Sequence, residues 1–112
     1  MHIANRIASI EQDKIDWATA EAMSFLSLNM DGYNARLCGE DVERGTFSQR
    51  HLVFHDQKEY GKTFTPLQYN IQRGPGVGRF RVNNTNLQEV AAMAYEYGYS
   101  LESPQNLVMW EA

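Results

Sequence analysis

FRVNNTNLQEVAAMAYEYGYSLESPQNLVMW, residues 80–110, places a strand, a helix and a second strand in one stretch. Phe80-Arg-Val82 alternates apolar and polar residues and reads as a short strand. Asn83-Asn-Thr-Asn86 is a loop rich in side-chain acceptors. The helix follows over residues 87–100, with Leu87, Val90 or Ala91, Ala94, and Tyr97 or Gly98 as its expected buried face. Asn86 or Thr85 is the expected N-cap, which sets Glu89 about one turn in. Ser103-Pro104 separates this helix from Asn106-Leu-Val-Met-Trp110, a continuous apolar run of the kind expected in a strand covered on both faces. Strand, helix and strand in this order predict a parallel pair joined by a right-handed crossover.

The same pattern extends toward the N-terminus. WATAEAMSFLSLNM, residues 17–30, reads as a helix capped by Asp16 and stopped by Asp31-Gly32. Trp17, Ala20, Phe25 and Leu28 are its expected buried face. Asn34 to Gly39 is the next strand, and Glu40 to Gly45 a polar loop. Gln49 to Phe54 reads as a short helix capped by Thr46 or Ser48, or alternatively as a strand at Leu52–Phe54. Residues 56–79 are irregular, with Thr65-Pro66 and the turn-rich RGPGVGR at 73–79. The fold class is therefore α/β: a partial parallel sheet with crossover helices, a helical lead-in over 1–31 and an α/β core over 32–112. Ligands of such sheets bind beyond the carboxyl ends of the strands. Here those ends are Gly39–Gly45, Asn83–Glu89 and whatever follows Trp110.

Composition narrows the function. At 112 residues a single domain is expected. With 43% hydrophobic and 21% charged residues, the chain is far from the disordered class. A net charge of -4 argues against a generic binder of nucleic acid or anionic membrane. No run approaches the ~18 apolar residues of a membrane span. The single Cys38 cannot form an internal disulfide.

Several groups invite a chemical reading. His51 and His55 stand four apart with Asp56 beside them, but the zinc-protease pattern needs Glu where Leu52 stands, so hydrogen-bonding histidines are expected. Gly74, Gly76 and Gly78 follow no strand and open no helix, so a plain turn is expected rather than a phosphate loop. Cys38 reads as a packed core thiol. Arg44 and Arg50 lie in a loop of mixed charge, which leaves both a solvated surface and an anion site open. Glu89 sits in an otherwise apolar helix, either solvated or buried for a reason.

DWATAEAMSF, RLCGEDVERGTFSQRH, FTPLQY, Asn84-Thr-Asn-Leu-Gln-Glu89, AYEYGYS and LVMWEA occur in that order. Together they closely resemble the thiamine-diphosphate-dependent E1 component of the 2-oxoglutarate dehydrogenase complex, and nearly as well its 2-oxoadipate paralogue. The resemblance runs from about Ile15 to Ala112, and Arg44 to His51 is its most specific string. It implies the first part of a transketolase-like pyrimidine-binding domain, which holds the aminopyrimidine ring of thiamine diphosphate at a dimer interface. In the family, the diphosphate and Mg2+ are held by a separate domain from the partner subunit. No motif of that domain stands in these residues, and the family sequence continues past WEA. The chain is therefore expected to be a piece of an E1 that is inactive alone, or a non-catalytic interaction module of the same origin.

By the same resemblance, Glu89 takes the place of the glutamate that hydrogen-bonds the pyrimidine ring nitrogen and activates the cofactor. Gln88 precedes it where the family writes Ser. Gly39, Glu40 and Asp41 match a strand-end turn assigned to cofactor binding. His51 is the candidate for meeting the substrate carboxylate or the reaction intermediate, with shaping of the dimer interface as its alternative. Tyr69 departs from the family's His, and the loop from Arg73 to Arg79 is longer than usual. The partners implied are a second E1 subunit, the lipoyl domain of the E2 succinyltransferase and 2-oxoglutarate. The implied location is the mitochondrial matrix or the bacterial cytoplasm.

Overall fold

A computed structural model describes residues 2–69 and 74–112. Arg73, the first residue of the turn-rich loop, lies outside the described residues. The elements in chain order are α1 (His2–Glu11), α2 (Trp17–Met30), β1 (Asn34–Gly39), β2 (Phe54–His55), β3 (Thr63–Phe64), α3 (Pro66–Tyr69), β4 (Phe80–Asn84), α4 (Glu89–Ser100) and β5 (Asn106–Glu111). Three strands form one parallel sheet in the order β4-β1-β5, and β2 pairs with β3 in a separate antiparallel pair. Ala35 stands opposite Phe80 on one side and Leu107 on the other, and Gly39 opposite Asn84 and Glu111.

Alternation along the strands gives the sheet two faces. Ala35, Leu37, Phe80 and Val82 point to one face and meet Phe25 of α2, Val42, Leu52 and Leu67 in the core. The rings of Phe25 and Phe80 stack with centroids 5.1 Å apart. Arg36, Cys38, Arg81 and Asn83 alternate with these residues and belong to the opposite face, which α4 covers over β1 and β5.

Asp16 caps α2 as expected, its carboxylate accepting from Thr19 N at 2.7 Å. That bond holds the Asp16 carboxyl below the usual carboxylate range. The buried face of α2 is different from the expected one. Ala18, Thr19, Phe25 and Asn29 are buried, while Trp17 is 92% exposed and Ala20 faces solvent. Apolar residues stand nearly all round this helix, so spacing alone did not select the face that meets the sheet. The buried Asn29 side chain donates through its amide N–H to Tyr33 O at 2.9 Å, and its backbone carbonyl accepts from Gly78 N at 2.7 Å. Gly78 must be glycine there, since a Cβ would overlap the Tyr33 carbonyl. The Gly74–Gly78 segment is thus a turn packed on the end of α2, as expected.

Three further expectations are corrected. No helix forms over residues 49–54. The Arg50 and His51 N–H groups both donate to Arg44 O and Leu52 N donates to Glu43 O, so the segment folds back on the preceding loop. Strand β2 begins only at Phe54. On α4 the buried residues are Ala92 and Glu96, whereas Leu87, Val90, Ala91, Ala94, Tyr97 and Gly98 are exposed. A cation beneath the helix, Arg36, draws the Glu96 side inward. Finally, β5 is an edge strand whose residues are mostly half-buried, not a strand covered on both faces.

Candidate functional site

The three parallel strands end together, so their loops converge on one side of the sheet. Thr85 N donates to Gly39 O at 2.9 Å, which carries the β1–β4 ladder one step into the loop. Asn84 Oδ1 accepts from Glu43 N at 3.0 Å and ties the two loops to each other. Gly39 has a steric role: a Cβ there would overlap the carbonyl oxygen of Glu111 and press on Val42. Only glycine lets β5 and the following turn approach so closely. Asp41 turns the chain with a left-handed φ of 54°, and its carbonyl accepts from Gly45 N at 2.7 Å. Its carboxylate pairs with Arg44 at 2.7 Å on the surface.

Glu89 is the first residue of α4 rather than one turn in. Gln88 is the N-cap and makes no side-chain capping bond, while Thr85 Oγ1 accepts from Leu87 N at 3.2 Å and closes the loop. This start brings Glu89 to the strand ends. Glu40 and Glu89 line one depression of about 410 Å³, together with Thr85, Leu87, Gln88 and Val90. Leu87 is 58% and Val90 69% exposed beside the two carboxylates. The depression therefore offers acceptors next to apolar surface. Such a lining can accept hydrogen bonds at its carboxylates and pack apolar groups against Leu87 and Val90.

The structure brings Glu89, Glu40 and Gly39 together, leaves Asp41 engaged with Arg44, and sets His51 elsewhere. His51 has a left-handed φ of 45°, and its Nε2 lies 2.6 Å from Ser48 O. It lines an apolar groove of about 460 Å³ between α1, α2 and Leu67, with Ile7, Met23 and Phe64 among the walls. His55 lies on β2, and Asp56 accepts from Lys58 N and Glu59 N in a turn, which lowers its pKa. Among the described residues no three His, Cys, Asp or Glu side chains gather as a metal-holding group. Tyr69 ends α3, with its ring 6.0 Å from that of Phe64.

Arg50 is the residue whose weight the sequence concealed. It is buried, and its guanidinium meets Glu21 of α2 at 2.7 and 3.1 Å, Glu111 of β5 through both carboxylate oxygens, and Val42 O at 3.0 Å. Arg6 of α1 donates in turn to Arg50 O at 2.7 Å. Donating to Glu111, and less strongly to Glu21, pushes the Arg50 pKa above its ordinary value against the opposing effect of burial. Arg44 is paired as well, so the loop is not an open anion site. On the opposite face, Arg36 and Glu96 form a bidentate pair at 2.7 Å. Cys38 is buried nearby, its thiol pushed up in pKa by burial and by Glu96. It is the packed core thiol expected.

A protein-family model described as transketolase, pyrimidine binding domain, matches residues 13–112. The 2-oxoglutarate dehydrogenase, mitochondrial, of Saccharomyces cerevisiae is 52% identical over 112 residues, covering 98% of this chain and 11% of that protein. The 2-oxoglutarate dehydrogenase E1 component of Brucella ovis is 49% identical over 109 residues, or 96% of this chain and 10% of the relative. The chain thus spans about a tenth of the length of the curated relatives it matches.

Proposed function

This chain belongs to the transketolase pyrimidine-binding domain family, and from that premise we propose that it is the cofactor-activating part of a 2-oxoglutarate dehydrogenase E1. The observation that carries the reading is the placement of Glu89: first in α4, at the strand ends, in a depression shared with Glu40 and walled by Leu87 and Val90. Glu89 would accept a hydrogen bond from a ring nitrogen of the pyrimidine and share a proton with it. Leu87 and Val90 would pack on the ring face and keep water from that proton. Thr85 and Gln88 supply the hydroxyl and amide that orient the ring edge. Gly39 sets the distance between the β1 and β5 ends and so shapes the floor. When bound, thiamine diphosphate with Mg2+ supplies the carbon nucleophile for decarboxylating a 2-oxoacid. The Mg2+ and diphosphate would be held by other parts of the enzyme, so this chain alone does not turn over.

The whole protein would oxidatively decarboxylate 2-oxoglutarate and pass the succinyl group to the lipoyl domain of E2, in the mitochondrial matrix or the bacterial cytoplasm. The names of the relatives favour 2-oxoglutarate over 2-oxoadipate. A second E1 subunit is supported by Val90, Met93, Tyr97 and Leu101, which recur at helical spacing from the start of α4 to its C-cap and are all exposed. His51 would serve the substrate side only if the partner subunit closes over its groove. The test is a graft of residues 13–112 into the yeast relative in place of its matching segment. The graft should decarboxylate 2-oxoglutarate, while the isolated chain with thiamine diphosphate and Mg2+ should release no CO2. A folded, cofactor-loaded graft without turnover, or turnover by the isolated chain, would overturn the reading.

A further inference from the structure

We propose that the amino-terminal ends of β1, β4 and β5 form a site for a small phosphate-bearing anion, held by Arg36, Arg79 and Arg81. The site lies at the opposite end of the sheet from Glu40 and Glu89, in a recess of about 270 Å³. Asn34, Asn106 and Tyr99 complete its polar lining. Every one of these six side chains carries an N–H or O–H donor. That recess is large enough for a phosphate group with part of its hydration.

Charge makes the case. Arg36 and Arg81 stand directly opposite each other on neighbouring strands, and Arg79 lies two residues from Arg81. Like charges in that relation destabilise a sheet unless something compensates them. Glu96 is the only acid paired with the cluster among the described residues, and it is spent on Arg36. Arg79 and Arg81 are exposed and form no ion pair among the described residues. Three guanidiniums against one carboxylate leave two positive charges in a chain whose net charge is -4. The carboxyl end of α4 opposes an anion with about half a charge, which does not cancel that excess.

The recess is also pre-organised. Glu96 grips Arg36 through Nε and Nη2, and Asn83 accepts from Nη1 at 3.0 Å with its amide oxygen turned to the arginine. The Tyr99 ring stacks on the guanidinium at 4.8 Å. Two N–H groups of Arg36 remain for a ligand. Asn34 is fixed between Asn106, to which it donates at 2.9 Å, and the Arg79 backbone N–H, from which it accepts at 2.8 Å. Forked guanidiniums bind phosphate oxygens in pairs, with more geometric specificity than point charges.

The test titrates the isotope-labelled chain with pyrophosphate and inorganic phosphate at low ionic strength, with chloride and succinate as controls, and follows the arginine Nε–H resonances. Saturable shifts confined to Arg36, Arg79, Arg81 and the adjoining asparagines are expected. The double variant Arg79→Gln, Arg81→Gln should weaken pyrophosphate binding at least ~10-fold, and Glu40→Gln should leave it unchanged. Arg81→Lys keeps the charge without the fork and should give an intermediate loss, which guards against misfolding of the double variant. Equal shifts with chloride, equally tight succinate, or undiminished binding by a folded double variant would each overturn the proposal.

Discussion

At the carboxyl ends of β1, β4 and β5, Arg50 is buried against two carboxylates, whereas at the amino ends three arginines gather and Glu96 pairs with Arg36 alone. The two clusters lie at opposite ends of the same sheet, the first joining the loop after β1 to α2 and β5, the second on β1 and the start of β4. In the first the cation is consumed internally, and the carboxylates left facing outward are Glu40 and Glu89. That end is an acceptor surface, suited to a ligand with N–H groups. In the second the acid is consumed, and the groups left over are guanidiniums. That end is a donor surface, suited to an anion. The difference shows that an ion pair in this chain matters as much for the charges it leaves unmatched as for the contact it makes.

Breaking the Arg50 cluster should have the largest effect on stability. Arg50→Met leaves Glu21, Glu111 and Val42 O without their donor and should cost about 3–5 kcal/mol. The urea midpoint would show it, and a loss below about 1 kcal/mol would mean that water replaces the guanidinium freely. Glu96→Gln comes next, at about 1.5–3 kcal/mol, because it weakens a bidentate charged pair on a buried acid. The same variant sharpens the comparison. It removes the lone acid of the donor end and should tighten pyrophosphate binding while it lowers stability.

Asp16→Ala should have the smallest effect, about 1 kcal/mol through the lost cap. Its pH dependence carries a sign. The folded-state pKa of Asp16 is depressed, so its contribution is present above the unfolded value near 4 and is lost as pH falls through the folded pKa. The difference between wild type and variant should therefore shrink in acid, and a constant difference from pH 7 to pH 2 would contradict the assigned cap.

These residues also separate what could be read in advance from what could not. The cap at Asp16, the stop at Asp31-Gly32, the strand at Asn34–Gly39 and the strand–helix–strand stretch 80–110 are local signals, and the structure forms them nearly where expected. The parallel arrangement was read from helices between the strands, of which only α4, between β4 and β5, forms at length; the β1–β4 connection holds β2, β3 and the four-residue α3 instead. The segment 49–54 misled, because Arg50 draws its environment from Glu21 and Glu111, residues 29 and 61 positions away. No local propensity records such partners. The buried face of α4 misled for a related reason: Glu96 is inside because Arg36 waits beneath it, against the usual preference of carboxylates for solvent. Of the candidate site, Glu89 was visible through the family's motif and Gly39 through its place at a strand end. The shared depression with Glu40 needed the register of β1 against β4.

The central claim is that Glu89 works as the proton-sharing carboxylate at the strand ends. Glu89→Gln in the graft with the yeast relative keeps the shape and removes the charge and the proton acceptor. The account predicts unchanged assembly with 2-oxoglutarate turnover lowered about 10²–10⁴-fold, the usual contribution of a positioned acid or base. Turnover within about twofold of the unsubstituted graft, at saturating thiamine diphosphate and Mg2+, would contradict it.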